Sequence, residues 1–237
     1  MPEAVEGSPP STGPGELEAA HRSAREFLVV VATAVVGLVG AHWYRSTYPG
    51  PDLASRLLGP ALFFLWLPLL STLLLMPSHP AAFGMLPGNR RSTPYALGAF
   101  ALGLVLLPLA LLPFLHTLQH LPSAAPFLPH HGASWVHLLG IQLVFAFPLF
   151  CEEWFFRGFL LFGLWRGVRA LSLVLQALLF LLYQWPVPGL ESIAALPAGL
   201  VLGFVSWRCQ SFVPGFLARW GLLTLLDCAA ALLRHSL

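Results

Sequence analysis

The chain has 237 residues, of which 57% are hydrophobic and only 9% charged, with ten acids, twelve bases and a net charge of +2. A soluble domain averages about 25% charged residues, so this chain cannot cover a globule of its length with solvated charge. A soluble enzyme, a disordered protein and a nucleic-acid binder are thereby excluded, and a polytopic membrane protein with the lipid bilayer as its solvent remains. The three cysteines, Cys151, Cys209 and Cys228, are odd in number and lie in or beside apolar runs, so no disulfide framework is expected. No Gly-rich phosphate-binding motif is present, and no cofactor is expected.

In chain order, residues 1–24 are Pro, Gly, Ser and Glu with few large apolar side chains, which predicts a disordered cytoplasmic tail. Glu3, Glu6, Glu16 and Glu18 precede the first arginine, the reverse of a signal peptide, so the first hydrophobic run is expected to stay as an anchor. A spanning helix needs about 20 predominantly apolar residues. The candidate runs are 27–44, 57–76, 94–116, 135–165, 170–185, 192–207 and 212–233. The expected fold is all-α, a polytopic membrane helix bundle of about seven transmembrane helices. Three of them, with their loops, fall in 25–134 and the rest form a helical core in 135–237. The fourth run is too long for one straight crossing and contains Pro148, so a kink, or a split giving an eighth helix, is open. Trp43, Trp135, Trp165, Trp185 and Trp207 sit at predicted ends, where amphipathic rings favour the interface.

Arginine asymmetry predicts the orientation. With the N-terminus inside and seven crossings, Arg22, Arg25, Arg90, Arg91, Arg166, Arg169 and Arg208 fall on the inner side and Arg45, Arg56 and Arg234 on the outer. The remaining two, Arg157 and Arg219, lie inside apolar runs.

The fourth run also carries Cys151-Glu152-Glu153-Trp-Phe-Phe-Arg157-Gly158. One ionisable residue at the bilayer centre costs roughly 2.5–3.5 kcal/mol on insertion scales, so three must be paired, hydrated or near the surface. Glu153 and Arg157 stand at i and i+4 with the acid first, the favourable order for a helix pair. Glu152 lies about 100° further round the helix and is the carboxylate left for chemistry. The plainer alternative places both acids at a helix end among headgroups.

Glu152-Glu153-x-x-x-Arg157 with Gly158, an apolar run before it and three more hydrophobic runs after it, resembles the first motif of the CPBP family, the CAAX proteases and bacteriocin-processing (Abi) proteins. The resemblance covers roughly residues 136–230 and implies a membrane helix bundle with reacting groups facing an internal cavity. It also implies type II CAAX prenyl endopeptidase chemistry; the setting expected is a bacterial inner membrane. In that chemistry the first glutamate and two histidines activate water, and the second histidine and an asparagine stabilise the oxyanion. Here the second motif, Phe-x-x-x-His, is Phe180-Leu-Leu-Tyr-Gln184, and the third, His-x-x-x-Asn, is Arg219-Trp-Gly-Leu-Leu223. No histidine lies between His137 and His235 to restore either one.

Glu152 can still act as a base, and Gln184 can hold a water but cannot carry its proton near neutral pH. Arg219 would donate to an oxyanion or neutralise Glu152 and weaken it as a base; Leu223 offers nothing polar. The leading expectation is a catalytically degenerate homologue. It would bind a hydrophobic or lipidated peptide tail, or support an active paralogue or another membrane-protein partner in protein processing or sorting. Two alternatives stand beside it: an active intramembrane endopeptidase with Glu152 as base and Arg219 as electrophile, and a transporter subunit. Against the last, the charges cluster in one place and no inverted repeat is seen. Elsewhere, His116 and His120 at i, i+4, with His130, His131 and His137, are read as interfacial histidines rather than metal ligands. Cys151 is read as a structural cysteine, because no neighbour would activate a thiol there. Asp227, one turn beyond Leu223, is expected either to pair with Arg219 or to lie near the outer interface.

Overall fold

The computed structural model describes residues 14–49, 53–88, 92–111, 135–185 and 190–236, and no strand occurs among them. Their elements are α1 (Pro14–Thr47), α2 (Leu53–Leu75), a 3-10 turn (Pro80–Phe83), α3 (Ser92–Leu111), α4 (135–168), α5 (Leu171–Gln184), α6 (Leu190–Cys209) and α7 (Val213–Ser236). In lipid the backbone must satisfy its own hydrogen bonds, and these Leu- and Ala-rich runs do so as helices. His21–Thr47, Leu53–Leu75 and Leu139–Val168 are long and apolar enough to cross a membrane, while Ser92–Val105, Leu171–Gln184 and Ala195–Cys209 are shorter apolar helices. The chain is an integral membrane protein with an all-helical bundle fold.

α1 begins at Pro14, inside the stretch 1–24 read as a disordered tail. The low apolar content there was a poor guide, because proline at the first helical position followed by acids in the first turns is itself a helix-start signal. Residues 1–13 lie outside the described residues. The fourth run is one helix, neither split nor doubled. It passes from α-helix (Trp135–Glu153) through a π-helical stretch (Trp154–Leu160) and back to α-helix (Leu161–Val168), with Pro148 inside it. A second π-helical stretch, Ala61–Trp66, lies in α2 directly after Pro60 and packs against the first.

Contacts at the helix ends show that successive helices alternate in direction. At one side of the bundle Glu26, in α1, pairs with Arg166, near the end of α4. Ser78, just past α2, donates to Glu26 at 2.6 Å and accepts from Arg166 at 2.8 Å. On the same side the end of α6 and the start of α7 meet the α2–α3 connection: Arg208 donates to the Tyr95 hydroxyl at 3.2 Å, Ser211 donates to the Leu86 carbonyl, and the Phe212 amide donates to the Gly84 carbonyl at 3.3 Å. At the other side Arg45, near the end of α1, donates to the Tyr183 carbonyl near the end of α5 at 2.6 Å. At 1.5 Å of rise per residue, Glu26 and Arg45 stand roughly 28 Å apart along α1, close to the hydrocarbon thickness of about 30 Å.

Between these two polar levels the core is aromatic. Phe64 of α2 meets Phe155 at 4.7 Å and Tyr183 edge-on at 4.9 Å between ring centres, and Phe156 meets Phe180 at 5.1 Å. Lipid tails are as apolar as leucine, so helices associate here by close packing and small residues. Gly199 of α6 is one such position, since an added Cβ would stand 3.0 Å from the Cα of Ala177 in α5. Leu28, Val35 and Val39 of α1 and Leu70, Leu73 and Leu74 of α2 are exposed, as lipid-facing side chains must be. Trp43 and Trp185 are exposed at helix ends, whereas Trp165 and Trp207 meet in a tilted pair with ring centres 5.4 Å apart.

Candidate functional site

Glu152 and Glu153 end the α-helical part of α4, and Arg157 lies in the π-helical stretch that follows. Glu153 and Arg157 are both 0% exposed, and Arg157 Nη1 stands 3.2 Å from Glu153 Oε1. The expected i, i+4 ion pair is therefore present, but it is not the hydrogen-bonded clasp that the spacing predicts. The Arg157 nitrogens find no aligned acceptor, and the guanidinium carbon lies 4.0 Å from the centre of the Phe180 ring. Cation–π attraction is strongest when the cation is desolvated, as it is here.

Arg219 reaches the cluster from α7. Its Nη1 donates to Glu153 Oε1 at 2.9 Å, and its Nη2 stands 2.9 Å from Glu152 Oε2. The expected approach of Arg219 to Glu152 is met. Glu153 does not serve Arg157 alone, because one Glu153 oxygen is shared by both arginines. Folding brings α7 across α4 at this level, a proximity that spacing within one helix cannot express. The four side chains make a network of two acids and two bases that grades from fully enclosed at Glu153 and Arg157 to 13% exposed at Glu152 and 16% at Arg219.

α5 completes the surroundings. Phe180 lies under Arg157 and also 5.1 Å from the Arg219 guanidinium carbon. Tyr183 is held by Arg45, which donates to its carbonyl at 2.6 Å and lies 4.6 Å over its ring. Gln184 is buried one turn beyond Phe180, on the same face of α5. Leu223, half-buried, lies one turn beyond Arg219 on α7. Neither Phe180 nor Tyr183 was singled out by motif reading as a partner of the charges. An aromatic one turn from a motif position, opposite two arginines, was the available signal.

Of the two placements expected for Asp227, pairing with Arg219 gives way to a contact with α4: Gln142 Nε2 donates to Asp227 Oδ2 at 2.6 Å, and Asp227 is buried. Gln142 is itself held by α7, accepting from the Thr224 hydroxyl at 3.3 Å and, through its carbonyl, from the Trp220 indole at 3.1 Å. Two helical turns separate Asp227 from Arg219, and Gln142 supplies a nearer donor. Cys151 is completely buried beside Glu152, in line with a packing role. His116, His120, His130 and His131 lie outside the described residues. Among the described residues no group of three or more His, Cys, Asp or Glu side chains is gathered as a metal would need.

Residues 133–223 match the family model described as Rce1-like, type II CAAX prenyl endopeptidase Rce1-like. The matched stretch runs through α4, α5 and α6 to Leu223 and so contains Glu152, Glu153, Arg157, Gln184 and Arg219. No curated protein and no solved structure matches the chain.

Proposed function

We propose that this chain, whose residues 133–223 match the Rce1-like type II CAAX prenyl endopeptidase family model, is a CAAX-protease-like membrane protein that binds a hydrophobic or lipidated peptide tail without cutting it. In this role it would serve an active paralogue or another membrane-protein partner in protein processing or sorting. The observation that carries the reading is Arg219, at 2.9 Å from an oxygen of each glutamate. A general base needs a lone pair free to take a proton from water, with a partner to pass that proton on. Here a guanidinium stands against one oxygen of each carboxylate, the position of the second motif holds a glutamine that shuttles no proton near neutral pH, and the asparagine position holds Leu223. Loss of one oxyanion donor typically costs 10²–10³ in rate, and this chain lacks several groups at once. Tail binding has no such requirement, since apolar walls and shape suffice. We propose that its N-terminus is in the cytoplasm, on the arginine asymmetry, and that its membrane is a bacterial inner membrane.

The test is purified full-length protein in detergent with fluorescent tail peptides, prenylated and unprenylated, followed for binding and cleavage beside Glu152→Gln. Saturable binding without turnover in either protein is expected. Turnover by the wild-type chain that disappears in Glu152→Gln would overturn the reading and establish an endopeptidase with Glu152 as base and Arg219 as electrophile.

A further inference from the structure

The charges gathered at the site are unequal in number. Glu152 and Glu153 meet Arg157 and Arg219, and beyond Tyr183 stands a third cation, Arg45. A guanidinium carries five N–H donors, and the partners of this one are neutral. Its Nη2 donates to the Tyr183 carbonyl at 2.6 Å, and its carbon lies 4.6 Å over the Tyr183 ring. Arg45 makes no ion pair among the described residues. An arginine that only snorkelled from a helix end would turn its head to water. Arg45, in the last turn of α1, is instead half-buried against α5, 138 positions along the chain. Tyr183 joins it to the network: Glu152, Arg219 and Arg45 all lie within electrostatic reach of Tyr183. Tyr183 also packs on Phe156, whose ring centre is 5.7 Å from the Arg157 guanidinium carbon. Depth sorts these groups. Counted along α4 from Arg166, which pairs with Glu26, Glu152 stands roughly 21 Å toward the Arg45 side. That leaves roughly 7 Å to the Arg45 level, about two residues of extended peptide. Resting on the reading that the chain binds a tail, we infer that Arg45 takes the free C-terminal carboxylate of that tail. The last residues then run past Tyr183 to the accessible edge of the network, Glu152 and Arg219. An unmodified apolar tail carries one obligatory charge, that carboxylate, and a guanidinium fork matches it in shape and sign. An amidated end or an internal segment would leave the third cation unanswered.

The probe is one prenylated fluorescent peptide made in two forms, with a free C-terminal carboxylate and with a C-terminal amide. Each is titrated against the full-length protein in detergent. The acid should bind about ten-fold tighter, the return expected from one charge-assisted contact. Arg45→Gln should bring the acid down to the affinity of the amide, and Arg45→Lys, which keeps the charge, should keep most of the preference. Arg56→Gln removes an arginine near the start of α2, on the same side of the bundle, and the preference should survive it. Equal binding of the two forms by the wild-type chain would overturn the role of Arg45 and leave tail binding standing. So would a preference that persists in Arg45→Gln. A loss in Arg56→Gln as large as in Arg45→Gln would also overturn it, by showing a general attraction of anions to that side. Binding of neither form would overturn tail binding itself, and the assignment of Arg45 with it.

Discussion

Arg157 is a fully enclosed guanidinium between the Glu153 carboxylate and the face of Phe180. Breaking a buried ion pair from one side is far worse than replacing both partners, because the survivor keeps its desolvation cost. Arg157→Ala should therefore destabilise the protein by about 3–5 kcal/mol, seen as a lower thermal midpoint in detergent and a lower membrane yield. Glu153→Gln with Arg157→Met, which removes both charges and keeps the volume, should recover a large part of that loss. An unchanged midpoint in Arg157→Ala would show that the pair does not hold the bundle. Arg219 serves two carboxylates, so Arg219→Leu should cost at least as much as Arg157→Ala, and adding Glu152→Gln should relieve part of it. The paired charges of α4 are legible in the sequence, since i, i+4 spacing in an apolar helix leaves few other solutions. The second partner of Glu153 is not, because it comes from a residue 66 positions away.

Among elements, α4 does most to position the site, through its departures from a regular α-helix. Its π-helical stretch coincides with Trp154-Phe-Phe-Arg157-Gly158-Phe-Leu160 and is packed on every side. π-helical turns are rare and recur at functional sites. At Gly158 an added Cβ would stand 2.9 Å from the Phe83 carbonyl oxygen and 2.8 Å from the Trp154 ring. The carbonyl belongs to the 3-10 turn and cannot swing away as a flexible side chain would, so Gly158→Ala should cost about 1–3 kcal/mol, measurable as a shift of the unfolding midpoint. α4 and α7 are also tied by Gln142, Thr224, Trp220 and Asp227. Gln142→Leu removes the amide that donates to a buried carboxylate, and a cost of about 1–3 kcal/mol is expected. Asp227→Asn in the same background should lessen it, and additive losses in the double variant would show that the two side chains act independently. The glycine after the motif is visible in the sequence. The π-helical register is not, because the same residues fit an α-helix and the wider turn is fixed by packing against α2.

For the whole molecule, the antiparallel alternation of the helices, read from contacts at both ends, makes the crossing number a structural matter rather than a count of apolar runs. Because α4 is a single helix, Thr47 and Gln210 lie on opposite sides of the bundle. The native cysteines Cys151 and Cys209 are buried and Cys228 half-buried, so labelling of introduced thiols should dominate. With the N-terminus inside, Gln210→Cys should react with an impermeant maleimide only in inverted vesicles and Ser46→Cys only in right-side-out cells. The opposite pattern would reverse the orientation, and labelling of both positions from one side would contradict the alternation itself.

Composition alone determined that this chain lives in a bilayer: with 9% charged residues it has no other solvent. Apolar run length then determined the helices, because a backbone in lipid has to bond to itself within each run. The Glu152-Glu153-x-x-x-Arg157 spacing determined the family resemblance and the local ion pair. Tertiary structure decided what those charges face. It set Arg219 against both glutamates, placed Phe180 under both arginines, and turned Asp227 to Gln142. It also extended α1 back to Pro14 and kept 135–168 as one helix. The physical reason is common to all of these. Helical period and hydrophobicity act within a segment and are written in consecutive residues, whereas a buried charge is satisfied by whatever other segments bring within about 3 Å of it.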